Sequence, residues 1–529
     1  TQLRASVLLR NRDITSQAFQ LGDDETTTGD YRFTDRFLAA VDRVTAQDLQ
    51  RVTKTYFTPN QLTIGFFEPT QIDPKAGGEI NPGQTGEKFN VGAPVDPAEV
   101  AKYLPPTQTS DRTPQALPEK FVLPNGLRVL MLRDTSTPTI SLTANIQAGS
   151  EFDSNAKAGL ARLTADNLTN GTKSKDALTL AKTLEDRGIN FGIDTNRESV
   201  LINASTISEH LPVLVQTMAD VAQNATFPED ELELSRQRAL TALKVQLDNP
   251  SVLARRVFQQ TVYPENHPFY SFPTDASLKA IQRQDLVNFY QRHYRPDATI
   301  VALVGDFDPA QVKSLFEKEL GSWKATGDRP SLTFPPVQLP AKEVRRYAPI
   351  PGKAQSVTLI GNAGIDRRDR RFYTASVMNQ ILGGDTLSSR LGTEVRDRQG
   401  LTYGIYSFFQ AGNRPGPFVV SMQTAPEDAD KAIASTVKLL DQLRTKGVST
   451  AEVSTAQRSI TNGYPVDLAN PDQLASMILM NEVYGLNPAE LRQYPQQIEA
   501  VSPAQVNQTA EDLVRPNQLI IVTAGPPKS

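Results

Sequence analysis

The stretch Ile281-Gln-Arg-Gln-Asp285-Leu286, completed by His293-Tyr-Arg-Pro296-Asp-Ala-Thr-Ile300, decides how this chain is organised. An apolar residue stands 15 positions before a proline, and a β-branched run follows the proline. The physical reading is a capped helix, a proline that ends it, and a strand entering a sheet. The pattern recurs near the start as Val44-Thr-Ala-Gln-Asp48-Leu49 with Tyr56-Phe-Thr-Pro59-Asn-Gln-Leu-Thr-Ile64. It recurs near the end as Val501-Ser-Pro-Ala-Gln505-Val506 with Leu513-Val-Arg-Pro516-Asn-Gln-Leu-Ile-Ile521. The copies lie 237 and 220 residues apart, which sets a module of about 220 residues.

Two full modules follow the first copy, whereas little chain precedes it, so the sequence is expected to open inside a module. Residues 1–68 then read as the tail of a preceding module, and 69–118, with nine prolines, as a semi-rigid linker. Residues 119–328 form the first complete module, 329–341 a short proline-rich joint, and 342–529 the second complete module. Each reads as α+β. The first opens on a hairpin around Pro124-Asn-Gly126, then a strand from Thr139, helices near 157–169, 176–187, 212–224 and 228–247, and a second hairpin over 189–207. The second gives strands near 355–362, 401–410, 416–424 and 518–524. Helices separate the strands irregularly, which predicts mostly antiparallel sheets with helices on one face.

Composition removes several functions. A chain of 529 residues exceeds what one core supports. A net charge of −4 offers no basic face for nucleic acid, and no apolar stretch approaches the roughly 20 residues that cross a bilayer. The absence of cysteine excludes disulfides, thiolate metal sites and cysteine nucleophiles. It also suits a periplasmic or secreted protein, with cytoplasmic and organellar placement left open. Only His210, His267 and His293 are present, no two within helical reach, and each reads as structural. No Gly-x-Ser-x-Gly elbow supports a serine hydrolase built on one of them. Thr1 is not an initiator methionine and no signal peptide follows it, so the chain reads as processed or cut from something longer.

The stretch Gly159-Leu-Ala-Arg162-Leu-Thr-Ala165-Asp166-Asn-Leu-Thr-Asn-Gly171-Thr resembles the first catalytic helix of the inverzincins, the pitrilysin-like M16 metallopeptidases. Between the same Gly-Leu-Ala and Gly-Thr, active members carry His-x-x-Glu-His, two imidazoles four apart for zinc and a glutamate as general base. Here Arg162 and Asp166 stand at the histidine positions, Ala165 at the glutamate, and Ala242 where the resemblance implies the third ligand. Arg162 stays protonated and cannot ligate zinc. It is expected to pair with Asp166 across one helical turn. No metal site and no cofactor are therefore expected in this chain, and zinc is expected in a complementary half.

Gly383-Gly-Asp385-Thr386-Leu-Ser-Ser-Arg390-Leu-Gly-Thr-Glu-Val-Arg396-Asp-Arg398-Gln-Gly400-Leu-Thr-Tyr403-Gly is similar to the segment that supplies the family's arginine–tyrosine pair, and both residues are intact. His267-Pro-Phe-Tyr, the segment ending Val-Gly-Asp306-Phe-Asp, and Trp323 also match the family module. Asp385 or Thr386 is expected to cap a helix that Gly400 ends, with Arg396 in its last turn and Tyr403 entering a strand. The resemblance implies that Arg396 and Tyr403 hold the scissile carbonyl, since donors aimed at a developing oxyanion stabilise acyl transfer. The bland reading of Arg396 is a cation at a helix C-terminus, and of Tyr403 an ordinary strand aromatic. The implied function is the peptide-binding, zinc-free half of a metallopeptidase that cleaves nothing alone. Its complementary zinc-bearing half would lie on the same polypeptide or on a separate subunit. A non-catalytic scaffold of the same fold is the rival.

Overall fold

The computed structural model describes residues 2–66 and 116–527, so the predicted linker up to residue 115 lies outside the described residues. The chain forms two compact units, one of residues 1–20 with 115–529 and one of residues 21–114. Among the described residues no helix is long and apolar enough to cross a membrane.

The larger unit holds two sheets. Strands β1 (Glu119–Val122), β2 (Arg128–Arg133), β3 (Thr139–Ile146), β4 (Asn190–Thr195), β5 (Val200–Ile207) and β6 (Thr299–Gly305) assemble in the order β1-β2-β6-β3-β5-β4. Strands β7 (Val344–Pro349), β8 (Ser356–Ala363), β9 (Gly404–Phe409), β10 (Pro417–Thr424) and β11 (Ile520–Gly525) assemble as β7-β11-β8-β10-β9. In each sheet the last strand lies between the first long strand, to which it is parallel, and the next, to which it is antiparallel. The repeat seen in the sequence is thus a repeat of topology. The remaining pairings are antiparallel, as the α+β reading expects, but helices cover both faces of each sheet and not one.

The repeated motif behaves as its chemistry dictates. Helices Arg283–His293 and Pro503–Leu513 each begin in a capping box, Gln282 with Asp285 and Ser502 with Gln505. Each ends before a proline that opens one 3₁₀ turn, and the strand follows.

Both sheets bury apolar residues on both faces, although the outer face of β3 is polar. In β2 and β6, Val129, Met131, Val301 and Leu303 enter the first module's own core, while Leu130, Leu132, Ile300, Ala302 and Val304 point the other way. That outer face is covered by helix Pro471–Val483 of the second module, through Leu474, Ala475, Ile478 and Leu479. Reciprocally, helix Pro250–Val262 of the first module lays Ala254, Phe258 and Val262 on Val357, Leu359, Ile520 and Val522 of the second sheet. The two helices are equivalent elements 221 residues apart, each opening Asn-Pro. Asn249 and Asn470 accept hydrogen bonds from the backbone N–H groups two and three residues on, and proline takes the first helical position. The sequence reading predicts neither helix, because nothing local distinguishes a helix that packs on a distant sheet.

Residues 21–66 form a helical hairpin and a short tail. Asp24 accepts hydrogen bonds from the backbone N–H and hydroxyl of Thr34, and Thr45 forms a capping box with Asp48. Helices Phe33–Val41 and Ala46–Tyr56 bury no residue at all.

Because each module completes the other's core, they are expected to unfold together. Phe258→Ala and Ile478→Ala each empty a fully buried site, and large-to-small core changes cost about 2–5 kcal/mol. Chemical denaturation of either variant should show one transition at lower denaturant. Two separated transitions would show independent modules.

Candidate functional site

Helix Phe372–Gly383 ends at the Gly383-Gly384 turn, and Asp385 accepts hydrogen bonds from the N–H groups of Leu387 and Ser388, both at 2.8 Å. Asp385 thus closes a turn and not the helix expected there: the helix that follows is a π-helix, Gly392–Arg398, whose N-terminal flank Leu391 provides no side-chain cap. Such wide turns are rare and collect at functional positions. Its N-terminus is forced close to the preceding turn, since a Cβ on Gly392 would stand 2.0 Å from the Thr386 carbonyl oxygen. Leu391 and Val395 are fully buried in the second module's core and fix the inner face. Arg390 grips Glu452 with two hydrogen bonds of 2.7 and 3.0 Å and also donates to the Gly447 carbonyl. This guanidinium holds the Glu452 carboxyl far down, at about 2, with the Ser449 cap contributing. Gly400, at φ +64°, ends the helix as predicted.

Arg396 and Tyr403 are brought together, through the backbone rather than ring to guanidinium. Arg396 Nε donates to the Tyr403 carbonyl oxygen at 3.1 Å, and a terminal nitrogen pairs with Asp397 at 2.6 Å. The chain turns so tightly after Gly400 that the carbonyl is the first acceptor the side chain meets. Thr402 is buried and donates to the Gln423 carbonyl at 2.6 Å, pinning the residue before the tyrosine. Thr386 donates to the Ile405 carbonyl and latches the helix turn onto β9. With the backbone clamped on both sides, the Tyr403 ring stands 76% exposed beside a guanidinium side chain that is 31% exposed. Both lie at the head of β9, the sheet's edge strand, which has no second strand partner among the described residues.

The helix resembling the zinc helix is Leu160–Asp166, shorter than the predicted 157–169. Asp153 accepts from the N–H groups of Gly159 and Ala161 at its start. Arg162 Nε donates to both Asp166 oxygens at 2.9 and 3.1 Å, the pair that their spacing predicts. Partial burial raises the Asp166 pKa, against the pull of Arg162. Ala165 is buried, Ala242 is exposed on helix Glu229–Leu247, and Ser235 of that helix meets Asn167 at 3.3 Å. A guanidinium, two methyl groups and one ion-paired carboxylate do not fit zinc, and no group of three or more ligating side chains is gathered among the described residues. His267 and His293 are buried among aromatic rings, and desolvation lowers both to about 4.

The sequence reading misses a second cluster. Gly149 packs so closely on the β4–β5 turn that a Cβ there would stand 2.3 Å from the Arg197 carbonyl oxygen. Glu151 N–H donates to that same oxygen at 2.8 Å, which brings its carboxyl beside Glu198. Glu198 in turn accepts from the backbone and side chain of Asn413 in the second module. A glycine with no turn to make was the available signal. Burial, then the charge of Glu198, pushes Glu151 up to about 8, only partly offset by Arg414 and Arg197. Burial likewise pushes Asp153 up to about 7.

Both carboxyls keep their proton in the folded chain at pH values where the unfolded chain has released it. Their contribution to stability is complete at acid pH and is lost as pH rises from about 4.5 to about 8 for Glu151, and from about 3.8 to about 7 for Asp153. The unfolding midpoint of Glu151→Gln, neutral at every pH, should fall less than that of the parent across this window. Parallel profiles would contradict the assignment.

Two family models match the chain: "Insulinase (Peptidase family M16)" over residues 128–270 and "Peptidase M16 inactive domain" over residues 280–460. An uncharacterized zinc protease of Bacillus subtilis, YmxG, is 22% identical over 396 residues, covering 75% of this chain and 95% of that protein. One from Mycobacterium tuberculosis, Rv2782c, is 25% identical over 421 residues, covering 78% and 94%. Among solved structures, a peptidase M16 inactive domain from Pseudomonas fluorescens superposes with a TM-score of 0.71 at 25% identity, over 78% of this chain and 99% of that one. A protease from Helicobacter pylori gives 0.73 at 20% identity, over 78% and 100%. A chain of Complex III2 from Candida albicans gives 0.65 at 18%, over 77% and 95%, a likeness of fold alone. This chain belongs to peptidase family M16.

Proposed function

We propose that this chain is the substrate-binding, zinc-free half of an M16-type metallopeptidase, completed by a zinc-bearing half on the same polypeptide or a separate subunit. The observation that carries the reading is Arg396 clamped to the Tyr403 backbone, which leaves a phenol and a guanidinium open to solvent at the head of an edge strand. An edge strand presents unpaired N–H and C=O groups to which an extended peptide can add. Two donors beside it suit a peptide carbonyl whose oxygen gains negative charge during attack. Neither donor supplies a nucleophile or a base, so their role is to hold the carbonyl and steady the oxyanion.

The need for a second body is supported by the first copy of the repeat. Ile281, Leu286 and Val301 are 0% exposed, whereas their counterparts Val44, Leu49 and Ile64 are 53%, 62% and 62% exposed. Among the described residues, the first copy forms its helix and 3₁₀ turn with no strand after them and no sheet or helices over its apolar side chains. A further module of this fold would cover that apolar face, and residues 1–68 would be its tail.

Assembled with a zinc-bearing half, the enzyme should lose about a hundredfold to a thousandfold in kcat on Arg396→Ala or Tyr403→Phe, the loss expected for one oxyanion donor. The chain by itself should hydrolyse no peptide. Unchanged turnover in both variants would favour the non-catalytic scaffold, and chelator-sensitive hydrolysis by the pure chain would refute the division of labour.

A further inference from the structure

A cavity of about 740 Å³ lies between the two modules, under the β4–β5 turn of the first and the β9–β10 turn of the second. That volume is the size of a small-molecule site. Its walls carry an unusual set of charges. Arg197, Arg329, Arg368 and Arg414 all line it, and none has a carboxylate within salt-bridge distance among the described residues. Instead, Arg197 lies over the ring of Phe269 at 4.1 Å and Arg414 over Phe334 at 4.4 Å. Arg329 donates one hydrogen bond to the Gln147 side chain at 2.6 Å, and Arg368 one to the Asn413 carbonyl at 3.2 Å. Stacking on a ring leaves the edge of a guanidinium, where its donors lie, free to bind.

Glu151 lines the same cavity, is 6% exposed, and its carboxyl has no hydrogen-bond partner among the described residues. Glu198 is the other carboxylate on the wall, and its oxygens are occupied by Asn413. A buried carboxyl without a partner is costly as an anion and holds its proton, so it presents a hydroxyl donor. The wall thus offers donors and positive charge, with one engaged carboxylate against four unpaired guanidiniums. Burial lowers the Arg329 pKa, Asp297 offsets part of this, and Arg128 and Arg295 add to the lowering. A negative charge in the cavity would relieve that strain.

We propose that this cavity binds a small multivalent anion bearing phosphate or carboxylate groups, held by Arg197, Arg329, Arg368 and Arg414. Planar guanidinium forks match both oxyanions in two-point contact. The site is independent of the peptidase reading, because it is built from the seam between modules and its test reads no hydrolysis.

Isothermal titration calorimetry of the full chain with citrate and with pyrophosphate, at matched ionic strength, tests it. Saturable one-to-one binding is expected, weakened about tenfold or more by Arg329→Gln and by Arg414→Gln, the loss expected for a charged hydrogen bond. Circular dichroism checks that both variants fold. Arg329→Lys, which keeps the charge without the fork, should bind between parent and glutamine variant. Tighter binding of pyrophosphate assigns a phosphate ligand, and tighter binding of citrate a carboxylate. The absence of saturable binding by either anion, or affinity unchanged in both glutamine variants, overturns the proposal.

Discussion

Each sheet of this protein buries apolar residues on both faces and has only one set of helices of its own. The exchange of helices Pro250–Val262 and Pro471–Val483 covers the second face of each. Burying apolar area is the dominant favourable term in folding, and a sheet left bare on one side would expose a continuous hydrophobic wall. The seam is therefore a core and not a contact between finished bodies. Everything at the seam inherits that rigidity. Glu198 can reach Asn413 in the other module only because the two sheets are held by each other's helices.

The two modules share topology but have diverged where chemistry would sit. In the first, the positions that would need imidazole and carboxylate hold an arginine–aspartate pair, worth roughly 0.3 kcal/mol at an exposed helix surface, and alanines. Arg162 and Asp166 lie at the helix surface, while Ala165 joins the first module's core. In the second, the helix after Gly384 has widened into a π-helix whose inner residues are sealed in the core and whose outer arginines point away. Arg390 spends its hydrogen bonds on Glu452 and Arg398 spends one on Glu394, both structural ties. Arg396 alone of the three is turned onto the backbone of the exposed tyrosine.

Much of this was legible in the sequence, and the reasons are local. Capping boxes, the proline after a helix, and the Asn-Gly hairpin are decided by neighbours within a few residues, so Gln282, Pro296 and Gly126 announced their elements. The arginine–aspartate pair was readable because helical spacing fixes its geometry. What escaped was non-local. The two exchanged helices pack on residues about a hundred or more positions away, so no periodicity of their own marks them as core. β7 pairs parallel with β11 across the whole second module. Glu151 reads as an ordinary acidic residue until Gly149 draws it against a turn nearly fifty residues downstream. The widening of the helix at Gly392 depends on a backbone approach that a string of side chains does not encode.

The three copies of the helix–proline–strand motif carry the argument furthest. Their local chemistry is the same, and the first folds its capped helix and 3₁₀ turn as the others do. Yet the residues that are sealed at Ile281 and Leu286 lie open at Val44 and Leu49. Local sequence thus suffices for the element and not for its burial. Burial is supplied by a sheet and helices from other parts of a module, and in these two modules also by a helix of the neighbour.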